Sequence, residues 1–411
     1  MKITKNSKQL MLFFLNNNHL NHSNLTNKTI NILSELHNKM LNAYNYLKNN
    51  SNYTGKIKKI TKISQIIKPK NFNSNSFPEI IRNHIDNNMM TEILYSFSLY
   101  DRVINIYFIV ETDIDESDLD VYNKYVQAII MWLHILNIYA SKHCVKSIKI
   151  YLYFTSLLKE IPSSNIHILD ENNVNTAFTT SCPIDSEIVV FRKEEWFKVL
   201  IHETFHNFGL DFSMMNNEEV KNCILKIFPV KSQVNAYESY AEFWAEIING
   251  LFCSFFELKN KSDINEFLSG CEFYLTFEKT YSFFQMVKTL DFMGLTYKDI
   301  YSKTEYARVN RENLYKEKTH VLSYYVLKTI LLNNFQGFLD WCNKNNLSLL
   351  DFKKTNGNQN EFCEFIRKNY KSKSMLEGVE DVEIFLSKLK RKKGNVKYIL
   401  SNMRMSICEL G

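Results

Sequence analysis

With 411 residues, 45% of them hydrophobic, the chain is long enough for two or three domains with ample core, which excludes a disordered protein. Its net charge of +6 arises from 50 basic against 44 acidic residues, a mixed surface that demands neither a nucleic acid nor an anionic membrane as partner. Only 10 Gly and 5 Pro point to helices with few tight turns, and eight Cys without Cys-x-x-Cys spacing or a dense framework fit a reducing, cytoplasmic setting.

The apolar run from Leu10 to Leu15 is short for a signal peptide and lacks a small-residue cleavage site. Residues 1–85 read as an N-terminal helical region. Within it, Thr29 to Asn49 is amphipathic behind a cap at Thr29, and the Lys-rich stretch Gly55 to Lys70 reads as a linker or solvated helix. His19, His22, His37 and His84 share no ligand spacing, and an Asn-rich chain produces sequons such as Asn52-Tyr-Thr freely. From Thr91 the pattern changes. Glu92–Leu99 and Val103–Glu111 flank a turn at Tyr100–Arg102 and predict a β-hairpin. Asp118 to Lys142 reads as a long helix, whose apolar run Ala128–Ala140 is interrupted by His134 and is too short to span a bilayer. Ser147–Phe154, Asn173–Thr180 and Glu187–Phe191 read as three more strands, the last leading directly into Lys193–Phe212.

That next stretch, KEEWFKVLIHETFHNFGLDF, holds His202, Glu203 and His206 in the order His-Glu-x-x-His. Its apolar residues cover most of a helical circumference, so the helix is expected to be buried. Two imidazoles four positions apart lie one above the other on one helical face, where both reach a single ion. Glu203 borders that face and is placed for general-base work on a water that the ion activates. A buried helix carrying two His and a Glu needs partners for them, and a metal supplies one. Two ligands leave a zinc site incomplete. In the longer pattern His-Glu-x-x-His-x-x-Gly-x-x-His, Gly209 is in place, but Phe212 occupies the last position and Asp211 misses it by one residue. Glu238, Glu242 and Glu246 recur every four residues on a second predicted helix, Val234–Ile247, and offer the third ligand.

Together these residues resemble the gluzincin metallopeptidases, whose third ligand is a Glu downstream of the motif. Glu238-Ser-Tyr-Ala-Glu242 is similar to the Glu-x-x-Ala-Glu segment of the lethal-factor-like enzymes, and thermolysin-like enzymes use a related arrangement. The resemblance implies Zn²⁺ on His202, His206 and Glu238, with Glu242 fixing the tautomer of His202. It implies an α+β, zincin-like catalytic domain at 86–250, a small mixed sheet plus the motif helix, between the 1–85 segment and a helical C-terminal lobe at 251–411. It also implies an edge strand that pairs with an extended peptide, placing Asn175, Thr176 and Ala177 at the cleft. His320 and Tyr324, one turn apart in Lys318–Asn333, are the implied donors to the developing oxyanion.

The expected activity is peptide-bond hydrolysis with Glu203 as general base and a peptide or protein as substrate. The whole chain also resembles, more loosely, proteins with this motif from large DNA viruses, which would place it in a host cytoplasm or a virion. A catalytically inactive zincin-like structural or binding protein is the competing reading. Glu203 speaks against it, because a purely structural site tends to be closed by four protein ligands and has no use for that Glu. The basic cluster near Lys388–Lys397 reads as a solvated tail helix.

Overall fold

In the computed structural model, residues 1–17, 24–50, 53–392 and 396–411 are described. His19, His22, Asn52 and the middle of the basic cluster lie outside them. The strands are β1 (Lys56–Lys59), β2 (Thr91–Leu99), β3 (Arg102–Val110), β4 (Ser147–Phe154), β5 (Ala177–Thr179) and β6 (Asp185–Val190). They form one mixed sheet in the order β1-β2-β3-β4-β6-β5. β3, β4 and β6 run parallel at its centre, and the other pairs are antiparallel. The central strands are near-continuous apolar runs because both faces are covered. Ile106, Ile150 and Ile188 stand in register and face the main core. Tyr107, Tyr151 and Val189 face a smaller core with Phe72, Phe77 and Ile81.

The helices that matter for the site are numbered in chain order: α1 (Lys5–Asn16), α2 (Asn27–Asn49), α3 (Glu79–Asn88), α4 (Leu119–Tyr139), α5 (Glu171–Val174), α6 (Trp196–Asn207), α7 (Glu218–Ile227), α8 (Ala236–Glu257) and α9 (Ile264–Phe292). β6 leads into α6, all of whose residues are buried. α8 packs on α6 and α9 on α8, so the motif helix is enclosed between the sheet and a helical layer. Trp132 of α4 ties in the remaining side by donating to the Thr204 hydroxyl at 2.9 Å. The chain is thus α+β, and its main core draws residues from Ile3 to Leu410. Among the described residues, no helix is long and apolar enough to cross a membrane.

Several expectations are corrected. The cap of α2 is Thr26 rather than Thr29: extended Thr26 accepts the Thr29 N–H, and Thr29 itself is buried in the first turn. Lys56–Lys59 is neither linker nor helix but the edge strand β1, whose alternating lysines are solvated while Ile57 is partly covered. The predicted strand Asn173–Thr180 is divided. Asp170 caps the short helix α5, which leaves only Ala177–Thr179 extended. The long helix ends at Tyr139 rather than Lys142. Cys144 and Cys182, treated above as reduced thiols, are joined in a disulfide across a Cα separation of 4.7 Å.

The helical reading after Gly250 holds, with one exception at the end of the chain. Asn402 to Cys408 forms a strap with every residue buried, and Leu410 bridges to Ile3. The backbone N–H groups of Met405 and Ser406 donate to Glu195, which enters α6 in the left-handed region at φ 57°. The Glu195 N–H donates in turn to Glu409 at 2.9 Å. This clamp holds a conformation that a non-glycine residue otherwise avoids.

Candidate metal centre

α6 and α8 bring His202, His206 and Glu238 together. The two Nε2 atoms are 3.0 Å apart, and Glu238 Oε2 lies 3.1 Å from one and 3.3 Å from the other. A tetrahedral ion with bonds near 2.0–2.1 Å holds its ligand atoms about 3.3 Å apart, so this triangle fits one face of such a site. All three residues are buried and could hold a metal ion. Both outward imidazole nitrogens face carboxylates: His202 Nδ1 is 2.8 Å from Glu242 Oε2, and His206 Nδ1 contacts Asp211. Those pairings leave each Nε2 free to ligate. The chemistry of the donor set therefore suits a divalent cation.

Local sequence explains the Asp211 contact. Gly209 takes a left-handed conformation (φ 66°) and ends α6, with its N–H on His206 O and the Leu210 N–H on Phe205 O. The reversal returns Asp211 to the helix it has just left. Its other oxygen accepts from the Ser213 N–H at 2.8 Å. The residue that misses the longer zinc pattern by one position therefore holds the imidazole of a candidate ligand.

Electrostatically the three residues form a proton-loaded cluster. Burial disfavours charge on His202, yet Glu238 and Glu242 push it up to about 9. Burial likewise works against His206, and Glu238 and Asp211 raise it well above its ordinary range. Glu238 moves the other way, held well below the usual carboxylate range by His206 and His202 against its burial. The neighbouring carboxylates thus favour the charged imidazoles in metal-free protein, and an Nε2 that carries a proton must lose it to ligate. Metal uptake at pH 7 is expected to release protons, with affinity rising as pH increases toward the His202 value. Calorimetry in buffers of different ionisation enthalpy measures this; uptake without proton release would refute it.

Around the triangle, the structure places the other predicted residues as follows. Glu203 is 7% exposed, and among the described residues its carboxylate has no hydrogen-bond partner; burial raises it above the usual range. Tyr324 donates its hydroxyl to Glu238 Oε2 at 3.0 Å and sits in a π-helical turn, Leu322–Leu327, a geometry frequent at functional sites. His320 stands farther out, partly exposed, with its Nε2 3.3 Å from Asn235 Nδ2. Asn175, Thr176 and Ala177 line the same hollow as His202 and Glu203, though Asn175 is occupied by the Thr319 hydroxyl at 2.8 Å. Among the described residues β5 pairs only with β6 and is the last strand of the sheet.

Two further residues escaped the sequence reading. Lys198, one turn before His202, is buried against Glu242, the carboxylate that faces His202. Asn207, the last residue of α6, donates to the Thr179 hydroxyl at 2.8 Å and to the Thr180 carbonyl at 3.2 Å, fastening β5 to the motif helix. Lys198 had a legible signal in its 198/202 helical spacing. Asn207 had none, because its partners Thr179 and Thr180 lie 28 and 27 positions away and no periodicity links them to it.

Compared with protein-family models, curated proteins and solved structures, the chain matches none.

Proposed function

We propose that the chain is a zinc metallopeptidase of the gluzincin type. The observation that carries this reading is the buried triangle of His202, His206 and Glu238 with Glu203 beside it, whose carboxylate has no hydrogen-bond partner among the described residues. Two imidazoles and one carboxylate make a donor set that zinc favours in sites with an open fourth position. When bound there, zinc supplies a Lewis acid that polarises a carbonyl and acidifies a water. Glu203 borders the triangle and would serve as the base that takes a proton from the attacking water and passes it to the leaving amine. The Tyr324 hydroxyl, with His320 one turn away, donates to the carbonyl oxygen as charge develops on it. The free edge of β5 pairs with an extended peptide, with Asn175, Thr176 and Ala177 at the rim. A mixed sheet in front of the motif helix and a helical layer behind it support a zincin-like plan.

Zinc content measured by mass spectrometry tests the ligand set. One ion per chain is expected in wild type and none in His206→Ala or Glu238→Ala. Glu242→Gln should keep the ion with affinity lowered by about 10–100-fold, as for other groups that orient a ligand. Wild type that takes up no zinc would overturn the reading.

A further inference from the structure

α7 carries Cys223, which among the described residues is the one free thiol that is not buried. The helix Asn356–Asn369 packs against α7 and turns Gln359, Cys363 and Arg367 toward it, four residues apart and therefore on one face. Gln359 donates to Asn217 Oδ1 at 3.0 Å, just ahead of α7. Cys363 is buried, with its sulfur 4.0 Å from the Val220 carbonyl oxygen, and its thiol is in hydrogen-bonding contact with the Cys223 sulfur. Arg367 donates from Nη2 to that same Cys223 sulfur at 3.2 Å. Cys223 thus has a second thiol and a guanidinium against its sulfur and still reaches solvent.

These neighbours set two adjacent thiols apart chemically. The Cys363 hydrogen bond first, and Arg367 with it, bring Cys223 down to about 7, although partial burial and Glu364 oppose them. The thiolate is the form that attacks. Cys363 moves the other way, kept protonated by its bond to Cys223 and by burial. Burial also raises Cys253, Cys271, Cys342 and Cys408. One exposed, activated sulfur beside one protonated sulfur is the arrangement of an attacking and a resolving cysteine.

We infer that Cys223 is a site of oxidation by hydrogen peroxide and that Cys363 resolves it, closing a disulfide between α7 and the helix Asn356–Asn369. The Cys223 thiolate attacks one peroxide oxygen and the O–O bond breaks, giving a sulfenic acid, while the other oxygen leaves as hydroxide and takes a proton from solvent. The Cys363 sulfur then attacks the sulfenic sulfur, and its proton departs with the sulfenic hydroxyl as a second water. The two thiols lose two electrons and the peroxide accepts them. Neither cysteine belongs to the metal centre, so the site stands independently of the peptidase reading.

The full-length protein is exposed to hydrogen peroxide, its remaining thiols are alkylated during unfolding, and tryptic peptides are analysed by mass spectrometry. The expected product links Asn222–Lys226 to Thr355–Arg367 with the loss of two hydrogens, while Cys253, Cys271, Cys342 and Cys408 are recovered alkylated. In Cys363→Ala protein the reaction should stop at a sulfenic acid on Cys223, trapped by dimedone. Arg367→Gln, a change at a half-exposed position, should slow the oxidation of Cys223 several-fold. Cys223 that stays reduced under peroxide, or is oxidised no faster than the buried thiols, would overturn the inference. So would a wild-type Cys223 sulfenic acid that persists beside a free Cys363.

Discussion

Glu203→Gln protein is expected to bind zinc as wild type does and to hydrolyse peptides about 10²–10⁴-fold more slowly, the usual contribution of a positioned general base. The argument is geometric. Glu203 borders the ligand triangle without belonging to it, and among the described residues its carboxylate has no hydrogen-bond partner. Gln keeps the shape and leaves no buried charge behind, so the fold has no cause to change. It cannot accept a proton at neutral pH. Steady-state hydrolysis of a peptide library, beside zinc content, separates the two roles. Equal activity in the variant would refute general-base catalysis by Glu203, and loss of zinc would make Glu203 a ligand instead.

Lys198→Met is expected to destabilise the protein by about 3–5 kcal/mol, because it strands the buried carboxylate of Glu242 without its ammonium partner. Burial alone would raise Glu242, but Lys198 and then His202 outweigh it and hold the carboxylate well below its usual range. A depressed carboxylate contributes stability that is present above its unfolded value, about 4.3, and is lost as pH falls through the folded value. The deficit of Lys198→Met should therefore be fully expressed at neutral pH. Adding Glu242→Met should recover much of the stability, since an apolar pair often replaces a buried ion pair without loss. Metal affinity should not recover, because His202 has lost the carboxylate that faces its Nδ1. Denaturant unfolding of the single and double variants checks this, and a Lys198→Met protein as stable as wild type would refute it.

What the sequence made legible was whatever repeats along one helix. His202, Glu203 and His206 share a turn, and Glu238, Glu242 and Glu246 mark one face of α8, so their types and spacing survive without coordinates. All three glutamates are buried, and Glu246 pairs with Lys328 at 2.6 Å. The β2–β3 hairpin was legible too, because two runs rich in β-branched and aromatic residues flank a short turn at Tyr100 and Asp101 that sets its register. Asp211 was hidden by the αL reversal at Gly209, which turns a near miss in sequence into a contact in space. β1 was hidden by brevity, since four residues carry too little alternation to outweigh their polar neighbours, and β5 was legible as a strand but at too great a length, because the α5 turn capped by Asp170 takes its first half. The strap at Asn402–Cys408 had no signal at all, since its partners lie some two hundred positions away.

That strap governs when the centre can first exist. Glu195 marks the entrance to α6 and is clamped by Met405, Ser406 and Glu409, while Leu410 closes against Ile3. A nascent chain that has already emerged through α9 carries every candidate ligand and still lacks the piece that fixes the helix bearing two of them. Contacts of such sequence separation form late, after the loop between them has closed. The candidate metal centre is therefore expected to form only after the Asn402–Cys408 strap has emerged, and chains stalled before it would lack the clamp on α6.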